Sequence, residues 1–262
     1  MTIAISRGFY LGQGIARNNA PLLAYKTIVS SSNIAATSED PLYPVTNVTN
    51  PATSFFWQAS SSADQIITIT TAGQTINYIG IARHNLAQSG LQVEIKFDGT
   101  TVIPAVGVGD DQVLFFLISE ASPQTVTIEI TGASDPALIA VIYMGEAIEL
   151  ERNIYVGHTP ITYARERDAI DSVSENGQYI GQIVRNEFKV SQINLMNLTP
   201  TWYRQTLDPF LAQSPRPPAF FVWRPDTYST EVGYIWITGN PKPVNQRANG
   251  MMQISMNIKG VS

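Results

Sequence analysis

A chain of 262 residues is long enough for two ordinary domains or one large all-β domain. It has a net charge of −5, no cysteine and no clustered Lys/Arg run, which excludes disulfide and thiolate chemistry and argues against a nucleic-acid partner. Charged residues make up only 14% while hydrophobic content is an ordinary 44%, so the missing charge is replaced by Ser, Thr, Asn, Gln and Gly. Neutral polar groups cost less to desolvate than charges, which suits a subunit whose faces are covered by neighbours.

Along the chain, residues 1–14 carry Arg7 but no apolar core of signal-peptide length. The longest apolar runs, such as 137–144, are too short to span a bilayer. The expectation is therefore neither secretion by the usual route nor membrane insertion. Gly12-Gln13-Gly14 looks like the start of a dinucleotide fingerprint, but Arg17 stands where the third glycine belongs and the strand-to-helix context is missing.

An Asn-Pro turn at Asn50-Pro51 leads to Trp57, then to an alternating strand over 65–70 and a more apolar strand over 76–82. Trp57 reads as a core anchor because its large ring precedes the first alternating strand. Leu91, Val93, Ile95 and Phe97 alternate with polar residues before an Asp98-Gly99 hairpin turn, and Val126, Ile128 and Ile130 alternate likewise. The continuous apolar runs 113–118 and 138–143 predict strands covered on both faces. Together these elements predict an antiparallel sandwich or jelly roll over 23–150, after an N-terminal arm at 1–22.

The segment 146–171 is dense in charge, with Glu149, Glu151, Arg152, Arg165, Glu166, Arg167 and Asp168, and places the domain boundary near Leu150. Beyond it, residues 179–195 predict two strands or one long bent strand. Thr199 is a candidate helix N-cap with Pro200 at the first position, and Pro209 is expected to end or kink that helix early. Strands follow over 219–223 and 234–238, and Met252, Ile254, Met256 and Ile258 alternate with polar residues in the last one. Trp202, Trp223 and Trp236 read as core or interface residues.

Two resemblances attach to these segments. The stretch 43–86, with its Tyr-Pro-x-x-Asn entry at Tyr43-Pro44 and Trp57, resembles the opening of a discoidin-like (galactose-binding-like) β-sandwich in the variant found in tail proteins of bacterial viruses. The order of elements over 161–262, with Phe220-Phe221-Val222-Trp223-Arg224-Pro225-Asp226, is similar to the split-barrel domain of siphophage tail-tube, distal tail and minor tail proteins. The fold class expected is thus mainly all-β, a sandwich followed by a split β-barrel (151–262) with one short helix.

The resemblances imply a non-enzymatic structural protein of a long-tailed phage virion, joining the tail tube to the distal tip as part of a ring or hub. Its partners would be copies of itself, six favoured and three second, together with tail tube, hub and receptor-binding proteins. In the best-known distal tail proteins the ring-forming domain comes first; here the order is reversed, which leaves a distal ring protein or a related minor tail protein. A carbohydrate-binding module of the tail tip is the alternative, and a virion cell-wall hydrolase the third.

Candidate sites follow from each reading. Phe55, Phe56 and Asn85 could face a host surface glycan from the sandwich loops. Arg152, Arg165, Glu166, Arg167 and Asp168 interleave charges as subunit interfaces do. A hydrolase would draw paired carboxylates from Glu146, Glu149, Glu151, Asp168 and Asp171. His84 and His158 are available to a catalytic triad, but no nucleophile elbow accompanies them, and they read as hydrogen-bonded loop histidines. Gly109-Asp110-Asp111 could offer oxygens to calcium but reads as a polar turn. No catalytic residue, cofactor or metal site is expected.

Overall fold

The computed structural model describes residues 8–11, 19–132, 134–154, 157–246, 248 and 250–262. Most of the expected N-terminal arm, and the Gly12-Gln13-Gly14 stretch with Arg17, lie outside them.

The strands in chain order are β1 (Phe9–Leu11), β2 (Leu22–Ala24), β3 (Ile34–Ala36), β4 (Trp57–Gln58), β5 (Gln65–Thr70), β6 (Ile76–His84), β7 (Gln92–Phe97), β8 (Thr100–Gly107) and β9 (Leu114–Ala121). Then come β10 (Thr125–Thr131), β11 (Leu138–Gly145), β12 (Ile148–Glu149), β13 (Arg165–Val173), β14 (Tyr179–Leu198), β15 (Ala219–Val222), β16 (Val232–Thr238), β17 (Val244–Asn245) and β18 (Met252–Val261). The protein is mainly β, as the sequence predicts, with a 3-10 turn at Val45–Thr49 and one short α-helical segment over 200–211 among the described residues.

Two five-stranded sheets, β1-β9-β6-β11-β4 and β3-β5-β10-β7-β8, form the sandwich. Between them lies a core that includes Trp57, Ile67, Ile69, Ile79, Ile81, Val93, Ile95, Phe116, Ile128 and Ile142. Trp57 is fully buried and donates its indole N–H to the Ser38 carbonyl at 3.1 Å, so the anchor role holds. The β7–β8 turn has φ of +47° at Asp98 and +81° at Gly99, the left-handed pair that a two-residue hairpin of this hand requires.

The third sheet runs β12-β2-β15-β16-β18-β14-β13, with β17 paired to β18. It takes strands from both sides of residue 150, since β2 and β12 precede it. Among the described residues its first and last strands do not pair with each other. One face is covered by the helical segment: Ile193, Leu195, Ile254, Met256 and Ile258 pack with Tyr203, Leu207 and Phe210. The other face meets the back of the sandwich sheet containing β6, β9 and β11. Tyr78, Phe115, Val141 and Tyr143 meet Phe220, Val222, Val232 and Tyr234 there. This contact explains why β9 and β11 are apolar at successive positions: one set of side chains faces the sandwich core and the alternate set faces the third sheet.

The contact is close. A Cβ on Gly80 would lie 2.8 Å from the Phe220 ring, so that position requires glycine. The Tyr234 hydroxyl donates to the Pro51 carbonyl at 2.8 Å, pinning the β3–β4 loop to the third sheet. Burial pushes the Tyr78 and Tyr234 hydroxyls well above their ordinary range.

The helical segment starts as expected, with the Thr199 side chain accepting from the Trp202 N–H and Pro200 at the first position. Of the two outcomes expected at Pro209, an early end is corrected, while the helix is distorted there. A wide π turn at Tyr203–Leu207 precedes it, and helix continues through Asp208–Leu211. Proline lacks an N–H and crowds the carbonyl four residues back; a locally widened turn relieves both.

Candidate functional site

Strands β13 and β14 pair from Arg165↔Lys189 to Val173↔Tyr179, with register shifts after Asp168 and after Ser172. The inner part of β14 also pairs with β18, from Lys189 to Leu198. Among the described residues the outer part, 179–188, pairs only with β13, a terminal strand of the sheet. The pair is therefore a two-stranded ribbon closed by a turn at 174–178, where Ser174 and Gln178 bond back to each other and Gly177 has φ +75°. Nine residues at about 3.4 Å each make β13 roughly 30 Å long.

The ribbon carries large apolar side chains in the open. Val173, Tyr179, Ile180 and Ile183 are between 62% and 70% exposed, and Ile170 and Val184 are exposed as well. Between them run polar contacts. Arg167 Nε donates to Glu187 at 2.7 Å, which holds that carboxyl below its usual range, and the Gln182 amide donates to Asp171 at 2.7 Å. An isolated two-stranded hairpin is marginal in water, and exposed apolar side chains, here carried on both faces of the ribbon, mark interaction surfaces.

Of the predicted interface residues, the structure brings Arg165, Glu166, Arg167 and Asp168 together on β13. It places Arg152 elsewhere, where its Nε donates to the Asn197 carbonyl at 3.2 Å. Sequence reasoning missed the apolar half of the ribbon. The signal was present in Asn176-Gly177, a hairpin dipeptide set between two strands of mixed charged and β-branched residues.

The sandwich-loop candidates separate. Phe55 is 51% exposed on the loop before β4, and Phe56 stacks on Tyr43 with ring centroids 4.4 Å apart. Asn85 is occupied within the fold: its amide donates to the Pro136 carbonyl and its oxygen accepts from the Leu138 N–H.

His84 is buried, with Nε2 bonded to the Gln112 carbonyl at 2.7 Å and Nδ1 placed to accept from the Leu86 N–H at 3.3 Å. That pattern selects the neutral ring, and burial lowers its pKa against the opposing pull of the Gln112 bond and of Asp111 and Asp110. Asp111 accepts from the Ala87 and Gln88 N–H groups, and Asp110 from that of Gln112, so both carboxylates cap turns. His158 Nδ1 bonds the Gln192 carbonyl at 3.0 Å, and burial likewise lowers its pKa.

Three of the carboxylates considered for hydrolysis have separate local roles. Glu146 faces Lys26 at 3.7 Å, Glu151 accepts from the Thr199 N–H at 2.8 Å, and Asp171 is bonded to Gln182 on the ribbon. Among the described residues, no group of three or more His, Asp or Glu side chains gathers as a metal site would need.

No protein-family model matches the chain, and no curated protein sequence matches it. Solved structures similar to part of it include carbohydrate-binding modules and a quarter of the length of a Ruminococcus gnavus fucosidase. A pectin-binding module is 13% identical over 47% of this chain and 92% of its own, with a TM-score of 0.37. A chitosan-binding module from a Paenibacillus sp. IK-5 chitosanase/glucanase is 12% identical over 47% and 100%, with a TM-score of 0.38. A family 32 module from C. perfringens, solved with galactose, is 14% identical over 48% and 99%, with a TM-score of 0.37. Similarity at this level says nothing of what this chain binds; its two-sheet sandwich stands on the strand order described above.

Proposed function

We propose that this chain is a structural subunit that assembles through the β13–β14 ribbon. We place that assembly at the distal tip of a long-tailed phage tail, where a ring or hub of copies joins the tail tube to the tip and to receptor-binding proteins. One observation carries the assembly reading: the ribbon's six large apolar side chains are exposed on a hairpin supported only at its root. The tail-tip placement rests on the sequence resemblances over 43–86 and 161–262.

The outer edge of β13 is where a strand from a neighbour would add, continuing the third sheet from subunit to subunit. Such a head-to-tail contact closes into a ring when the rotation permits, with six copies favoured over three. The charged residues of the ribbon, Arg165, Glu166, Arg167 and Asp168, would set the register of that contact.

The test is the mass in solution, with negative-stain imaging of the same sample. Wild-type protein should form closed rings with a central hole. Ile183→Lys with Val173→Lys should give a monomer whose own unfolding free energy stays within about 0.5 kcal/mol, as expected for exposed positions. A wild-type monomer at high concentration, with the ribbon cut readily by protease, would remove the self-assembly reading.

A second reading, glycan recognition by the sandwich, is favoured by the exposed Phe55 beside the stacked Tyr43–Phe56 pair. Pectin, chitosan fragments and galactose, the ligands named for the similar modules, are the compounds to test. Under this reading Phe55→Ala abolishes binding while leaving the oligomer intact.

A further inference from the structure

The face of the third sheet opposite the helix is divided in two. Under the sandwich it is apolar, with Leu22, Ala24, Phe220, Val222, Val232 and Tyr234 buried. The remainder, on β14, β16, β17 and β18, is open and carries a different set of side chains. Register assigns them: Gln192 lies opposite Asn257, Asn194 opposite Ser255, Trp236 opposite Lys259, and Val244 opposite Gln253.

Apart from Lys259 these groups are neutral, and hydrogen bonds already order those at the centre of the stripe. The Gln192 amide donates to Ser255 Oγ at 2.8 Å and to Asn257 Oδ1 at 3.3 Å, and the Asn194 amide donates to Gln192 Oε1 at 3.1 Å. At one end Trp236 is 40% exposed, beside Lys259, whose ammonium sits 4.6 Å from the centre of the Phe188 ring. At the other end the sheet opens into a groove of about 340 Å³, with Asn194, Lys242, Gln253 and Ser255 on its polar side and Leu195, Met196, Val244 and Ile254 on its apolar side. Lys259 lies six residue steps along β18 from Gln253, a run of roughly 20 Å.

The geometry points to this stripe as a binding site for a neutral oligosaccharide, lying along β18 from Trp236 to the groove. Gln192 is spent in ordering its neighbours; Gln253, Ser255 and Asn257 keep groups that donate and accept, matching sugar hydroxyls that do the same. An exposed indole supplies a flat apolar surface for the C–H face of a sugar ring. Anchoring on adjacent strands of a sheet fixes these groups before the ligand arrives, which lowers the entropic cost of binding. The two lysines stand at opposite ends of the run, with Lys259 engaged by an aromatic ring, so a polyanion would find no cluster to neutralise its phosphates or sulfates. The site is on the other half of the molecule from Phe55, and its argument does not depend on the ribbon.

The experiment is a glycan array with the full chain in its native oligomeric state, followed by calorimetric titration with cellotetraose, maltotetraose and chitotetraose. At least one neutral oligosaccharide should bind. Trp236→Ala and Ser255→Glu should each weaken it about tenfold or more, a loss of about 1.4 kcal/mol. Phe55→Ala should leave it unchanged, and unfolding midpoints and solution mass of all three variants should match wild type. Three results overturn the proposal: no binding to any neutral glycan, binding lost in Phe55→Ala but kept in Trp236→Ala, or selective binding of sulfated or phosphorylated chains.

Discussion

Strands β11 and β14 are both long and rich in branched apolar residues, yet they meet opposite fates. In β11, Ile139, Val141, Ile142 and Tyr143 are buried on both faces, between the sandwich core and the third sheet. In the outer half of β14, Tyr179, Ile180, Ile183 and Val184 face solvent. Composition does not separate the two. What separates them is whether the chain supplies a second layer, and the ribbon's lack of one is the physical case for a partner that does.

The comparison is broken most strongly from the buried side. Phe220→Ala removes the ring that packs on Tyr143, Tyr234 and Phe115 at the junction of the two halves. It should cost about 3–5 kcal/mol in urea unfolding, in the range of a large buried aromatic. Gly80→Ala acts at the same place from the opposite direction: the added methyl meets the Phe220 ring, and overpacking should cost about 1–3 kcal/mol. If both variants unfold as wild type does, the two halves are not held by this contact.

Acid gives a smaller and graded effect. His84 and His158 have folded pKa values lowered by burial from an ordinary 6.5, so below that pH the unfolded chain binds more protons than the folded one. Stability is therefore full above about pH 6.5 and declines as the pH falls from there toward the folded values. A thermal scan series between pH 7.5 and 5 should show this decline, and His84→Gln should flatten part of it. A wild-type profile that rises with acid would contradict the neutral-ring assignment. The smallest effect belongs to the ribbon: Arg167→Ala should leave unfolding of the isolated subunit unchanged, because the Arg167–Glu187 pair is solvent-exposed on both sides. Its consequence should appear only in the stability of the assembled oligomer.

Much of the sandwich was legible in the sequence because alternation is local. The runs at 113–118 and 138–143 announced two-sided burial, and β9 and β11 have it. Asp98-Gly99 announced its hairpin, and Trp57 its place in the core. What local pattern could not reveal was pairing across long separations. Three-residue β1 lies parallel to β9, and β2 joins a sheet whose other members mostly follow residue 150. The ribbon was only half visible. Charge at 165–168 suggested an interface, while the exposure of Ile183 or Val173 depends on the absence of a covering layer, which no periodicity records. Asn85 illustrates the converse. It is a loop amide that looked available for a ligand, and tertiary contacts with Pro136 and Leu138 consume both ends of it.

The position of β2 also sets an order of events during synthesis. Its partners Phe220–Val222 leave the ribosome roughly 200 residues after it does. At typical elongation rates that is an interval on the order of ten to forty seconds. For that time Leu22 and Ala24, and the whole Tyr78–Phe115–Tyr143 surface of the finished sandwich, have no cover from their own chain. A cell making this protein thus exposes an adhesive aromatic sheet on every nascent copy, and chaperone demand during translation should rise once residue 145 has emerged and fall once residue 222 has.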